Sequence, residues 1–210
     1  MKDAQRTGVT GELARFIVES RWSSIPTEIH HEAKRALLNW AGCAIGGCRD
    51  EAVDAALAAI SEFAGRPQAT ILGRSERMDI LNTVALNALS SNILDFDDIH
   101  LRTVLHPTVP VAAAVIALAE RSRVTGMRSL HAFVLGVEVE CRVGNAISPE
   151  HFNAAGTSRR RAAFLAPVRR VRNYLISTTR NAAWVFGIAA NQAAGTTGAH
   201  GSMTQVMEHG

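Results

Sequence analysis

Apolar residues recur along most of this chain at the three-to-four-residue spacing of amphipathic helices. Leu13, Phe16 and Ile17 mark one face of a short helix over 10–22. Pro26 sits where a first helical turn tolerates proline. Ile29, Ala33, Ala36, Leu37, Trp40 and Ala41 then predict a second helix ending near Gly46-Gly47. A third covers 51–63 and is closed by Gly65, Arg66 and Pro67. Residues 69–73 read as a very short strand or an extended connector. From 78 to 94 the helical period returns with Ile80, Val84, Leu86, Leu89 and Ile93, and Asp79 is suited to cap its start. Pro107 and Pro110 restart a helix, VAAAVIALAERS, that is apolar nearly all round and is therefore predicted to be buried. Gly126 breaks it. Residues 127–147 form a further long helix on which Glu138 and Arg142, four apart, can pair. Past Pro149 the periodicity weakens, resumes over 181–194 with small residues, and ends at Gly195 before a glycine-rich tail.

The pattern predicts an all-α fold, with His30 and His31 as surface residues. Composition agrees: 47% of residues are hydrophobic but only 5% aromatic, so small aliphatic side chains must fill the core, as suits close-packed helices. A charged fraction of 20% is ordinary for a globular chain and excludes disorder. Cys43, Cys48 and Cys141 make an odd set without a CxxC pair, which speaks against a disulfide framework. The polar start MKDAQRTGVTGE is no secretory signal, and no apolar run suffices to span a bilayer. The expectation is a cytoplasmic protein with no membrane partner. The net charge of +3 is local: 159–180 holds seven of the 22 basic residues and no acid, leaving 15 against 19 elsewhere, a net of −4. That cluster lacks interleaved aromatics and a recognisable binding fold, so no nucleic-acid partner is expected.

Chemistry concentrates at 94–110, LDFDDIHLRTVLHPTVP, where Asp95, Asp97, Asp98, His100 and His106 crowd between two helical segments. Acids after a helix oppose the negative end of its dipole, so they call for compensation by a cation, a metal, solvent or a ligand. Asp and His are also the side chains best suited to exchange protons near neutral pH. Three other readings compete. The stretch could be a solvated acidic turn, or Asp95 and Asp97 could cap or bridge helix ends. Asp97-Asp98 with His100 or His106 could bind a divalent metal, but Arg102 and Thr103 stand where a further acid would complete such a site. No metal is expected.

In order, Asn87-Ala88, Asp95-Phe96-Asp97-Asp98-Ile99-His100, His106-Pro107 and AAAVIALAE resemble the MmgE/PrpD family, as do GVEVECRVGNAI over 136–147 and GIAANQAAG over 187–195. The resemblance covers about 10–156 and 182–204. It implies a helical core domain built from N- and C-terminal parts around a smaller lid, assembled as a homodimer without organic cofactor. It implies lyase or isomerase chemistry, the movement of a proton next to a carboxylate of a small polycarboxylate such as 2-methylcitrate. Asp95 and His106 match catalytic positions of the family turn; Asp98 and His100 match supporting, substrate-binding ones. The organisation expected is a helical part over 1–156, an Arg-rich divergent segment over 157–181, and a return to the same domain over 182–210.

Departures from the family pattern are specific. Ile99 replaces a threonine and has no side-chain donor. Asn92 stands where many members have histidine. Thr157-Ser158-Arg159-Arg160 replaces a segment with another catalytic histidine, and Gln205 a lysine. The chain has about half the family's length, so the expectation is that the lid and later basic residues are missing. The 157–181 segment reads as translated out of the ancestral frame. These losses support an alternative: a catalytically inactive remnant, at most a helical dimerisation fragment.

Overall fold

Six helices carry the described part of the chain, residues 8–155 except Arg123, in the computed structural model. They are α1 (Val9–Glu19), α2 (Thr27–Gly47), α3 (Glu51–Ser61), α4 (Ile80–Asn92), α5 (Thr108–Ser122) and α6 (Gly126–Ala155). A 3-10 turn (Trp22–Ser24) precedes α2, and two short strands, β1 (Ala69–Thr70) and β2 (Arg77–Met78), precede α4. The predicted all-α class holds. The expected segments 157–181 and 182–210 lie outside the described residues.

The helix predicted to be buried is the centre of the packing. Val111, Ala112, Ala113, Val115 and Ala117 of α5 are sealed from solvent. Trp40 and Ala33 of α2 pack on that core from one side, and Ala132 and Phe133 of α6 from another. Each large apolar side chain removed from water in this way contributes about 1.5–3 kcal/mol. Ala14 and Ile17 seat α1 on Val139 of α6. Val53, Ile71, Met78 and Leu86 form a smaller core beneath the strands.

The 69–73 connector is half of an antiparallel hairpin, with Ala69 opposite Met78 and Thr70 opposite Arg77. Its backbone is held by α4: Leu72 N donates to Asn87 Oδ1 at 2.9 Å and Asn87 Nδ2 donates to Thr70 O at 3.1 Å. Asp79 caps α4 as expected, accepting from Asn82 N at 3.2 Å. Because Met78 serves the strand, α4 starts two residues later than periodicity suggests. Its buried face is also more polar, with Thr83, Asn87, Ser90 and Ser91 all shielded.

Other differences are local. α5 ends at Ser122, and Gly126 itself already opens α6, where Thr125 Oγ1 accepts from Arg128 N at 3.4 Å as a cap. Pro149 removes one N–H from the ladder, yet α6 continues to Ala155. His31 is exposed as expected, whereas His30 is half-buried, its ring stacked on Trp22 with centroids 3.7 Å apart. Arg142 and Glu138 pair as expected, with Nε donating to Oε1 at 2.7 Å.

Candidate active site

The turn between α4 and α5 folds back on itself through an antiparallel bridge. His100 N donates to Leu105 O at 2.8 Å, and Val104 N to His100 O at 2.8 Å. Two residues of this turn adopt left-handed backbone, Asp95 at φ 53° and Val104 at φ 54°. For a β-branched residue such as Val104 that conformation costs about 1–2 kcal/mol. The buried Leu105 and Thr103 on either side of Val104 hold it there.

The fold-back brings His106 to Asp97. Asp97 Oδ2 lies 2.7 Å from His106 Nδ1, and the Asp97 side chain is fully shielded. An ionised carboxylate only accepts, so Nδ1 carries the proton and Nε2 is the free nitrogen. His106 Nε2 lies 3.9 Å from Asp95 Oδ1, and Asp95 is exposed. That separation is too long for a hydrogen bond. The imidazole thus lies between a buried carboxylate at Nδ1 and an exposed one near Nε2. Asn92 Nδ2 sits 3.4 Å from Asp97 Oδ2, at the edge of hydrogen-bonding range.

The two expected supporting residues face elsewhere. Asp98 caps α5, accepting from Thr108 N at 3.2 Å and Thr108 Oγ1 at 2.6 Å. His100 Nδ1 lies 2.7 Å from Thr103 Oγ1. Asp98 thus meets the positive end of the α5 dipole, which compensates one of the acids clustered after α4. Burial raises its pKa above the ordinary carboxylate value, with the two Thr108 hydrogen bonds opposing. Thus Asp95 and His106 come together, while Asp98 and His100 do not join them.

A cleft of about 460 Å³ adjoins the turn, lined by Arg35, Leu38, Asn39, Cys43, Leu94 and Phe96 among others. Asn39 Nδ2 donates to Phe96 O at 3.1 Å and ties the turn to α2. Burial raises the Cys43 thiol, with Asp97 and Asp98 adding to the shift. Among the described residues, Asp95, Asp97 and His106 are the group that could hold a metal ion, one atom from each lying within 4.8 Å of the others. Asp98, part of the metal set considered from sequence, is committed to Thr108.

Sequence reasoning weighed Asp97 as a helix cap or bridge and as a metal ligand, and missed it as the partner of His106. Spacing carried no signal for this, because the contact depends on the left-handed Val104 between the two. Glu140 was noted only as a polar position, yet it is 1% exposed. Its separation of seven from Phe133, a buried residue on the same helix, was the available signal.

Comparison with known proteins adds to this geometry. A family model described as the MmgE/PrpD N-terminal domain matches residues 11–210. The chain is 29% identical over 146 residues to a cis-aconitate decarboxylase-like protein of Aspergillus oryzae, an alignment covering 66% of this chain and 30% of that relative. It is 25% identical over 213 residues to a cis-aconitate decarboxylase of Aspergillus terreus, covering 98% of this chain and 43% of the relative. The chain therefore spans less than half the length of these curated relatives.

Proposed function

Because this chain belongs to the MmgE/PrpD family, we propose that His106, oriented by Asp97 and flanked by Asp95, transfers a proton next to a carboxylate of a small polycarboxylate. The observation that carries this reading is the 2.7 Å contact from the shielded Asp97 to His106 Nδ1. It sets the tautomer, so Nε2 is the atom that takes or gives the proton. Asp97 then stabilises the imidazolium without itself becoming protonated, the arrangement that makes a general base effective. In a dehydration or epimerisation, neutral Nε2 removes the proton from the carbon beside the carboxylate. In a decarboxylation, the electron pair of the breaking carbon–carboxylate bond stays on carbon and takes a proton from Nε2–H. Asp95, exposed at 3.9 Å from Nε2, is placed to share that proton.

The relatives' names favour a tricarboxylate of the cis-aconitate type over 2-methylcitrate as the first substrate to try. The same reading includes a cytoplasmic homodimer without organic cofactor. The test is incubation of the full 210-residue protein with cis-aconitate in heavy water, followed by NMR. Solvent deuterium should enter the carbon positions beside carboxylates, and His106→Gln should abolish the incorporation. No incorporation above the His106→Gln background would overturn the reading.

That outcome would favour the second reading, an inactive helical remnant. Ile99 and Gln205, at positions where the family has a hydroxyl and a cation, support it.

A further inference from the structure

One face of α6 carries a carboxyl that the site above does not use. Gly136, Glu140 and Gly144 follow one another at single-turn spacing. A Cβ on Gly136 would press to 2.6 Å from Val111 Cγ1, and one on Gly144 would run into Leu105. The two glycines thus bring α6 against α5 and against the turn that precedes it. Between them Glu140 is 1% exposed, and among the described residues its Oε2 has no hydrogen-bond partner. A lone carboxylate in such a place loses its hydration without replacement, so the neutral acid is favoured. Burial raises the Glu140 pKa to about 9, and the charge of Asp98 adds to the effect. Asp98 already holds the Thr108 N–H and hydroxyl at the start of α5. A helix end that stabilises one negative charge does not compensate a second beside it.

We propose that Glu140 is a positioning residue which, as a neutral acid behind the Asp98–Thr108 cap, lets α6 close on the first turn of α5 and so holds His106 against Asp97. The proposal deepens the reading of His106 as the proton-transfer group and rests on it only for its catalytic consequence. Among the described residues, other titratable groups bear on this spot from each neighbouring element. From the turn come Asp98, with Asp97 and His106 beside it. From α6 come Cys141, whose thiol burial pushes up to about 12, and Glu138, which pairs with Arg142. From α2 comes the raised thiol of Cys43. From α1, Ala14 and Ile17 pack on Val139, and Glu12 and Arg15 are the charged residues of the same turns.

The sign of the pH dependence follows. The unfolded chain releases the Glu140 proton near the ordinary glutamate value, about 4.3, whereas the folded protein keeps it until about 9. Between those values the folded state binds more protons, so stability falls as pH rises through the window and levels off above it.

The test uses the full chain, with urea denaturation and the ring NMR signals of His106 (identified by their loss in His106→Gln) followed from about pH 6 to about pH 10, bracketing the raised Glu140 value. The wild-type His106 signals should move with an alkaline midpoint near 9. Glu140→Gln, neutral and of the same shape, should remove that midpoint and flatten the stability profile. Asp98→Asn should move the midpoint to lower pH by removing the neighbouring charge. A midpoint that survives Glu140→Gln, or a wild-type His106 signal unmoved to the top of the range, would overturn the proposal. If Glu140→Gln does not fold, Asp98→Asn decides, and an unshifted midpoint counts against it. The readout does not depend on turnover: absent deuterium incorporation with the midpoint present would sink the functional reading and leave the positioning role standing.

Discussion

Two polar connectors enter this helical packing, the hairpin before α4 and the turn after it, and they use their polar side chains in opposite ways. In the hairpin, side chains bind backbone. Asn87 holds Leu72 N and Thr70 O, Arg74 Nε donates to Cys48 O at 2.7 Å and its guanidinium pairs with Asp54, and Thr70 N donates to Glu120 Oε2 at 3.0 Å. In the turn, two side chains bind each other, Asp97 and His106, and leave Nε2 directed at an exposed carboxylate. The hairpin tolerates ordinary backbone at every position but Gly73, whereas the turn holds Asp95 and Val104 in left-handed conformation. Polar groups that satisfy backbone stabilise a fold. Polar groups that orient one another over strained backbone maintain a reactive geometry instead.

Variants can sharpen that contrast. The largest effect expected is on deuterium incorporation from His106→Gln, a loss of about 10²–10⁴-fold with little change in the urea midpoint. A large loss of stability in this variant would erase the distinction between the connectors. Next, Asn87→Ala strands a backbone donor and a backbone acceptor and should cost about 2–4 kcal/mol in urea denaturation. Its incorporation rate per folded molecule should stay unchanged. Asp98→Ala removes the α5 cap and should cost about 1 kcal/mol, an intermediate result because Asp98 belongs to the turn yet acts as the hairpin residues do. Smallest is Glu32→Ala on the exposed face of α2, where loss of the 3.0 Å pair with Arg35 should change stability by about 0.5 kcal/mol or less.

The helical part of the fold was legible because its signals are local. The spacing of Ala33, Leu37 and Trp40, the Asp79 cap and the Glu138–Arg142 pair each depend on residues within a turn or two. The hairpin was half legible, since 69–73 was recognised as extended but its partner strand over 77–78 was not. Two residues carry too little alternation to register, and the pairing is completed by Asn87 from another element. Of the candidate site, Asp95 and His106 were legible through the family turn. The pairing of Asp97 with His106 went unseen and Glu140 was passed over, because an acid among acids has no individual signal until its neighbours in space are known.

By itself, the chain's order of apolar and polar residues determined an all-α fold, a buried α5 and a cluster of acids and imidazoles placed between two helices. Only the tertiary structure decided which acid does what. Asp97 and Asp98 are adjacent in the chain, yet one is shielded against an imidazole and the other caps a helix. The division arises because the chain bends at Asp97, so that its side chain meets His106 while that of Asp98 meets Thr108. Left-handed backbone at Val104 accompanies the fold-back that brings His106 to Asp97, and the unpaired N–H at the start of α5 is what Asp98 meets at Thr108.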